Sequence, residues 1–168
     1  MVGRSSTSNS RRVTNMPTCN SPRAASLRTT PRLTRFSARG SEMIFVVGAT
    51  GFVGASTAAW LEGAGLEVFR VTRGHLSGQI PLPAAADSVV VNCAWAGVAG
   101  DKRDSRIQHA NSVLTRQVVE VANRVGAVRL VAFGSQAEYG PANSAVDELA
   151  PLSPSTAYGR AKVAAFLA

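Results

Sequence analysis

Short apolar runs alternate with amphipathic stretches along residues 43–168. Residues 107–125 carry apolar side chains at the 3.6-residue period of an amphipathic helix. Four other runs have the length of strands, namely 43–47, 66–71, 88–94 and 128–133, and the run 43–47 is continuously apolar, as expected for a parallel strand buried on both faces. Buried strands that alternate with helices predict an α/β fold with a doubly wound parallel sheet.

Two further helices complete the predicted order of elements. The first covers residues 53–64 and is closed by Gly63 and Gly65, because a helix C-terminus favours a residue that adopts positive φ. Gly126 closes the long helix in the same way. The last helix opens near residue 155 and continues to the end of the chain.

Residues 75–86 interrupt this alternation. The stretch is too short for a full helix and a full strand, and it contains Pro81 and Pro83. We therefore expect no more than a short strand around Gln79–Leu82. His75 stands alone in a loop flanked by glycines, and we expect its side chain to be exposed.

The sequence GATGFVG at residues 48–54 lies between the first strand and the first helix. Its glycines are three residues apart, and each has a physical use in a dinucleotide site. Gly48 allows a sharp turn off the strand, Gly51 allows a pyrophosphate to approach the backbone, and Gly54 allows close helix packing. The helix N-terminus would add N–H groups and the positive end of its dipole. A glycine-rich turn that only packs a βα unit is the alternative interpretation.

Arg73 follows the second strand, where the adenosine ribose of a dinucleotide lies in this kind of fold. An acid at this place binds the free 2′-hydroxyl of NAD, whereas an arginine suits the 2′-phosphate of NADP. No acid occurs between Glu67 and Asp87, and Arg70 lies close by. The sequence therefore favours NADP over NAD, with a solvated surface arginine as the alternative.

Asn111 lies near the apolar stripe of the long helix. A buried asparagine must find hydrogen-bond partners, so we expect it to contact either the backbone or a cofactor. A partly exposed helix residue is the alternative. The preceding strand ends in the small residues Ala94, Ala96 and Gly97, which would leave room for a cofactor at the carboxyl edge of the sheet.

Tyr158 and Lys162 are four residues apart, which places both side chains on one face of the last helix. Tyrosine is a weak acid–base group at neutral pH, and a neighbouring lysine ammonium favours its phenolate form. Ser135 follows a strand and could hydrogen-bond a substrate carbonyl or alcohol. Together the three residues suit proton transfer coupled to hydride transfer from a nicotinamide. A tyrosine and a lysine at this spacing, taken alone, more often form a surface pair.

Positive charge is concentrated at the N-terminus. Residues 1–42 hold eight arginines and one acid, whereas residues 43–168 carry ten basic and nine acidic residues, so most of the net charge of +8 belongs to the N-terminal segment. This segment is poor in large apolar side chains, and we expect it to be disordered. An organellar transit peptide, a nucleic-acid-binding arm and an extension foreign to the protein are the three interpretations.

Cysteine content and hydropathy restrict the compartment. Cys19 and Cys93 have no metal-type spacing, which favours a reducing compartment and no structural metal. No apolar run approaches the ~20 residues of a membrane span, and no secretory signal is visible. We expect a cytoplasmic protein without membrane or nucleic-acid partners, or an organellar matrix protein if residues 1–42 are a transit peptide.

Together these motifs resemble the N-terminal part of an extended short-chain dehydrogenase/reductase, the NAD-dependent epimerase/dehydratase family. The resemblance extends over residues 43–168 and rests on GATGFVG, VVVNCAWAG, the Asn111 helix, GSQAEYG and YGRAK. It implies a Rossmann fold, a nucleoside-diphosphate sugar as substrate, and a catalytic set of Ser135, Tyr158 and Lys162 with Tyr158 as the acid and base. It also implies NADP or NAD contacts from Gly48, Thr50, Gly51, Phe52, Val53, Gly54, Arg73, Cys93, Ala94, Asn111, Tyr158 and Lys162.

Three departures from the family pattern affect these expectations. Residues 75–86 are shorter than the family's third-strand region and lack the acid that approaches the adenine, and Gly134 stands where many members have a serine. The chain ends six residues after Lys162, whereas the family continues with a lobe that binds the nucleotide-sugar. We therefore expect a sheet incomplete at its C-terminal side, an exposed sheet edge, and little or no turnover. A non-catalytic NADP-binding module is the alternative function, and pairing of long helices would give a homodimer.

Overall fold

The computed structural model describes residues 43–167, and the disorder expected for residues 1–42 lies outside this range. Four strands alternate with four helices: β1 (Ile44–Val47), α1 (Phe52–Gly63), β2 (Val68–Val71), α2 (Arg73–Leu76), β3 (Val89–Asn92), α3 (Ala110–Val125), β4 (Arg129–Ala132) and α4 (Ala157–Phe166). Three short 3₁₀ turns lie at Gly100–Lys102, Arg106–His109 and Gln136–Glu138. Each strand falls inside a run that the hydrophobic pattern identifies.

The four strands form one parallel sheet in the order β2-β1-β3-β4. In the register of the sheet, Phe45 on β1 lies beside Phe69 on β2 and Val90 on β3. The order reverses between β1 and β3, which opens a crevice at the carboxyl ends of these strands. The predicted doubly wound parallel sheet is therefore confirmed.

The core has two parts because alternate residues of a strand face opposite sides of the sheet. On one side, Phe45 and Val47 pack with Val118 and Val121 of α3, and all four side chains are buried. On the other side, Val46 packs against Ala49 and Ala58, the latter from α1. The larger core therefore lies beneath α3, and α1 covers the opposite side with small residues.

The prediction for residues 75–86 was wrong in two respects. The stretch Gln79–Leu82 forms no strand, and one turn of helix, α2, precedes it. His75 is buried rather than exposed. Its Nδ1 accepts a hydrogen bond from the Thr72 N–H at 2.9 Å, and its ring packs edge-on against Phe69. Because the His75 ring caps the helical turn that carries it, the ring is buried. A sequence reading that assigns this stretch to a loop does not predict that burial.

β4 forms one edge of the sheet, and all four of its residues are exposed. Leu130 and Val131 of this strand are exposed by 42% and 47%, and Phe133 directly after it by 47%. An exposed apolar edge was expected from the sequence.

Among residues 43–167, no helix combines the length and the hydropathy that crossing a membrane would require.

Candidate active site

The turn between β1 and α1 lies against the end of β3. Gly48 has a φ of +78°, and a Cβ placed there would lie 2.7 Å from the Cα atom of Ala94. A Cβ at Gly54 would overlap the carbonyl oxygen of Gly48. Gly48 and Gly54 are therefore required by the packing of the protein itself, as the spacing predicted.

Gly51 differs from the other two glycines of this turn. Its φ is −81°, and a Cβ there would lie 3.4 Å from the Gly48 carbonyl oxygen, an ordinary contact distance. Neither packing nor backbone conformation requires a glycine at this position. The exposed backbone at Gly51 leaves room for a phosphate group to approach, so the turn fits a dinucleotide.

The N-terminus of α1 supplies donors beside that exposed backbone. The first hydrogen bond of the helix runs from the Ala55 N–H to the Gly51 carbonyl at 2.8 Å. The N–H groups of Phe52, Val53 and Gly54 precede it and belong to the first turn, where helices bind anions. The Phe52 side chain is 93% exposed, and Thr50 is exposed beside it.

Cys93 and Ala94 continue the end of β3 at the base of this turn. The Ala94 N–H donates to Asn92 Oδ1 at 3.0 Å, and the Ala94 backbone contacts Gly48. Cys93 is half-buried, and burial raises the pKa of its thiol, while a hydrogen bond with Thr57 opposes the shift. The thiol is therefore protonated at neutral pH and packs as a small apolar group.

Asn111 is fully buried at the start of α3. Its Oδ1 accepts from the Ala96 N–H at 2.8 Å, and its Nδ2 donates to the Ala96 carbonyl at 3.0 Å and to Gln108 Oε1 at 3.1 Å. We expected Asn111 to contact either the backbone or a cofactor, and in the structure it contacts the backbone of Ala96. Asn111 thus holds the loop after β3 in place, and its contact with a cofactor stays a prediction.

Trp95 is a site residue that the sequence analysis missed. Its Nε1–H donates to Gln108 Oε1 at 3.1 Å, and its ring meets the Tyr158 ring edge-to-face at 5.8 Å. The Lys162 ammonium lies 3.9 Å from the centre of the Trp95 ring. A large aromatic residue among the small residues at the end of β3 is the signal that could have identified it.

Ser135 opens the 3₁₀ turn that follows β4. Its hydroxyl oxygen accepts from the Ala137 N–H at 3.2 Å, and its own N–H donates to Glu138 Oε1 at 2.6 Å. Glu138 is buried, and it too was missed. The spacing of Ser135 and Glu138 is that of a capping box, so the sequence did contain this signal.

The start of α4 is held by the loop that precedes α3. The Tyr158 N–H donates to the Arg103 carbonyl at 2.8 Å, and the Ala157 N–H donates to Asp104 Oδ1 at 2.7 Å. A Cβ at Gly159 would overlap the Ala137 carbonyl oxygen, so this glycine lets α4 lie directly against the Ser135 turn. The helix that carries Tyr158 is therefore fixed next to the turn that Ser135 opens.

Lys162 is buried one turn beyond Tyr158. Its Nζ donates to the Phe133 carbonyl at 2.7 Å and lies 5.9 Å from the centre of the Tyr158 ring. Burial lowers the pKa of Lys162, and the charge of Glu138 opposes that shift. The predicted pair thus shares a helix face, with the ammonium on the inner side.

Arg73 lies exposed at the start of α2. Arg70, the other arginine near the expected ribose position, forms a salt bridge with Glu62 at 2.9 Å. Arg73 is therefore the better candidate to meet a 2′-phosphate.

Two cavities border these elements. The smaller, of about 90 Å³, lies between the ends of β3 and β4 and is lined in part by Cys93, Trp95, Glu138 and Lys162. The larger, of about 710 Å³, follows the Ser135 turn and is lined in part by Tyr139, Asp147 and Glu148.

Comparison with known proteins agrees with this geometry. The sequence model of the NAD dependent epimerase/dehydratase family matches residues 44–168. The chain belongs to this family. A relative, dTDP-6-deoxy-L-talose 4-dehydrogenase (NAD(P)(+)) of Kitasatospora kifunensis, is 33% identical over 144 residues, and the match covers 73% of this chain and 45% of the relative.

Several solved structures share the fold of this family member. A UDP-galactose 4-epimerase superposes with a TM-score of 0.62 at 26% identity, over 74% of this chain and 49% of its own. A short-chain dehydrogenase/reductase superfamily protein from Agrobacterium tumefaciens with bound NAD gives 0.59 at 27% identity, over 74% and 43%. MoeE5 in complex with UDP-glucose and NAD gives 0.58 at 26% identity, over 74% and 46%. The chain thus spans slightly less than half the length of these proteins.

Proposed function

We propose that this chain supplies the cofactor-binding and proton-transfer residues of an NAD(P)-dependent oxidoreductase or epimerase that acts on a nucleotide-sugar. The observation that carries the proposal is Gly51, which no packing contact requires and which lies beside the N–H groups of α1. A turn of this shape is explained when a phosphate group approaches its backbone. The family and the bound NAD of similar structures support the same conclusion.

The cofactor would be held at both ends of the crevice. The Gly48–Gly54 turn would bind the pyrophosphate, Arg73 would meet a 2′-phosphate, and Lys162 would bind the nicotinamide ribose. The bound nicotinamide supplies or accepts the hydride. We prefer NADP because Arg73 occupies the position that an acid takes in NAD-specific sites, and NAD remains the alternative.

Proton transfer would fall to Tyr158. Its hydroxyl would exchange a proton with the substrate alcohol or carbonyl, and the Lys162 ammonium on the same helix face would stabilise the phenolate. The Ser135 oxygen already accepts a hydrogen bond from Ala137, which leaves the hydroxyl hydrogen to donate to a substrate carbonyl. The residues would thus orient the substrate and move one proton.

A nucleotide-sugar is the substrate class that the relatives favour. The names of the K. kifunensis relative and of two similar structures include a dTDP- or UDP-sugar. The cavity of about 710 Å³ next to the Ser135 turn is large enough for a sugar ring. Its carboxylates, Asp147 and Glu148, suit sugar hydroxyls better than a diphosphate, because they would repel negative charge.

Substitution of Tyr158→Phe tests the proposal. The chain is titrated with NADPH and NADH by cofactor fluorescence, and hydride transfer is followed with a panel of dTDP- and UDP-sugars. We expect Tyr158→Phe to retain cofactor binding and to lower any turnover by roughly 10²–10⁴-fold, since it removes the hydroxyl group that would exchange the proton.

Two results would count against this function. Absence of binding to both cofactors would reject the dinucleotide site. Turnover that is unchanged in Tyr158→Phe would reject the proton-transfer role.

A further inference from the structure

Lys162 combines burial with charge in an unusual way. Its side chain is only 9% exposed, and one carbonyl, that of Phe133, accepts a hydrogen bond from its ammonium. An ammonium has three N–H donors, and removing it from water is costly unless other groups replace the lost hydration. The surroundings of Lys162 must therefore supply further stabilisation if the charged form is to persist.

The face of the Trp95 ring lies where it can supply that stabilisation. The Lys162 Nζ is 3.9 Å from the ring centre, well within the range in which an aromatic face attracts a cation. Tryptophan provides the strongest such interaction among the side chains, and the effect increases when water is excluded. The Tyr158 ring lies farther away, at 5.9 Å, and contributes less.

The orientation of the Trp95 ring is set by a buried amide. Gln108 is 2% exposed, and its Oε1 accepts the Trp95 Nε1–H. Its Nε2 donates to the Gly97 carbonyl at 2.7 Å and to the Lys102 carbonyl at 2.9 Å. Because both hydrogens of Nε2 are used, the amide cannot rotate without losing bonds, and it holds the indole in one orientation.

We propose that Trp95 is a positioning residue whose indole face holds the Lys162 ammonium in its charged form against the Phe133 carbonyl, one helical turn from Tyr158. This inference deepens the proposed function, since it assigns to Trp95 the task of keeping the lysine ready to support proton transfer. Trp95 acts through Lys162 and does not itself exchange a proton.

Other charged groups around Lys162 act on it at the same time. Glu138 faces it from the 3₁₀ turn and favours the charged form. Tyr158 lies on the same helix, and the Arg103 guanidinium carbon lies 4.6 Å from the centre of the Tyr158 ring. The Cys93 thiol, at the end of β3, lines the same small cavity, and burial raises its pKa, which favours the neutral form. Only a change at Trp95 alters the aromatic face without altering these charges.

The lysine content of the chain allows a direct test. Lys102 and Lys162 are the two lysines of the sequence, so ¹³C labelling at Cε gives two NMR resonances, and Lys102 serves as an internal reference. In Trp95→Leu we expect the Lys162 titration midpoint to fall by about one pH unit, the size of a desolvated cation–π contact. Trp95→Phe keeps a ring and should recover at least half of that shift. Trp60→Leu, at the exposed second tryptophan, should leave both midpoints unchanged.

A measurement on the native site complements the variants. In Trp60→Phe, Trp95 is the remaining tryptophan, and its indole resonances should shift with the same midpoint as the Lys162 Cε. Indole resonances that stay flat through the Lys162 titration, or a folded Trp95→Leu with an unshifted Lys162 midpoint, would overturn the inference. Neither measurement needs turnover, so failure of the proposed function and failure of this inference can be told apart.

Discussion

The crevice at the carboxyl edge of the sheet has two walls that are built in opposite ways. The wall formed by the β1–α1 turn depends on missing side chains, because a Cβ at Gly48 or Gly54 would overlap backbone atoms. The wall formed by the ends of β3 and β4 with α4 also packs through a glycine, Gly159, but its candidate chemistry comes from side chains that are present. There Gln108 orients Trp95, which contacts the Lys162 ammonium, and Glu138 caps the turn that Ser135 opens.

This difference predicts that substitutions in the first wall mainly change the stability of the fold, whereas substitutions of functional side chains in the second wall mainly change the proposed reaction. A substitution in the first wall adds atoms where none fit, so it acts first on folding. A substitution of Ser135, Tyr158 or Lys162 in the second wall removes a hydroxyl group or a charge and adds no atoms that clash, so we expect it to act first on the proposed reaction. Gly51 is the exception in the first wall, because a Cβ there would lie 3.4 Å from its nearest protein neighbour. In the proposed function, the added atoms would meet the cofactor instead.

The largest effect is expected from Gly54→Ala. Its new methyl group would overlap the Gly48 carbonyl oxygen, and relief requires α1 to move away from β1. We expect a loss of about 3 kcal/mol in the free energy of unfolding, measured by urea denaturation. Gly63→Ala in the same helix is the matched control, because a Cβ there meets no atom within 4 Å. That control should gain about 0.5–1 kcal/mol. Equal stability of the two variants would contradict the close packing of the turn.

Gly51→Ala should affect binding and spare the fold. The backbone conformation at this position suits an alanine, and the methyl group fits at 3.4 Å from its nearest neighbour. We expect the free energy of unfolding to change by less than about 1 kcal/mol and the dissociation constant for NADPH to rise at least about tenfold. Fluorescence titration beside urea denaturation measures both quantities. Unaltered NADPH binding would remove Gly51 from the phosphate site.

Lys162→Met tests whether the buried Lys162 ammonium lowers the free energy of unfolding. Because burial lowers the pKa of Lys162, the unfolded chain binds more protons than the folded chain between that lowered pKa and the ordinary pKa of lysine. The free energy of unfolding should therefore rise with pH through this window in the parent chain. In Lys162→Met this rise should vanish, with stability at neutral pH equal to or above that of the parent.

The control for this prediction is Lys102→Met, at an exposed position. It should keep the pH dependence of the parent chain when unfolding is measured at neutral and alkaline pH. A Lys162→Met variant that retains the same alkaline rise would show that the rise comes from another group.

The smallest effect concerns the outer side of the second wall, where β4 forms an exposed edge. Val131→Lys places a charge on this strand, and edge charges discourage pairing with another chain. We expect weaker self-association in light scattering at high protein concentration, with unfolding changed by less than about 0.5 kcal/mol. Val113→Lys, on the exposed face of α3, adds the same charge away from the edge and should not reduce association. Equal association in both variants would argue against edge pairing.

Parts of this site could be predicted from sequence because their causes are local. Gly48 and Gly54 follow a buried strand at fixed spacing, and the geometry of a strand–turn–helix unit then dictates close contacts at both positions. Tyr158 and Lys162 share a helix face by their separation alone. Glu138 belongs to the same class, since a capping box with Ser135 is a local signal, although it was overlooked.

Other parts depended on contacts between distant segments. His75 was expected at the surface, yet the burial of its turn against Phe69 draws it inward. Trp95 gains its neighbours from the Gln108 amide and from α4, which begins more than sixty residues later. Such contacts leave no trace in the spacing of residues along the chain.

The sequence by itself determined the order of strands and helices, the parallel sheet and the turn that suits a dinucleotide, because hydrophobic period and glycine spacing act over a few residues. Only the tertiary structure decided which glycine of the turn the packing does not require, which partners Asn111 takes, and what lies against the Lys162 ammonium. The physical reason is that burial and desolvation depend on every segment that surrounds a group, and those segments meet only when the sheet assembles.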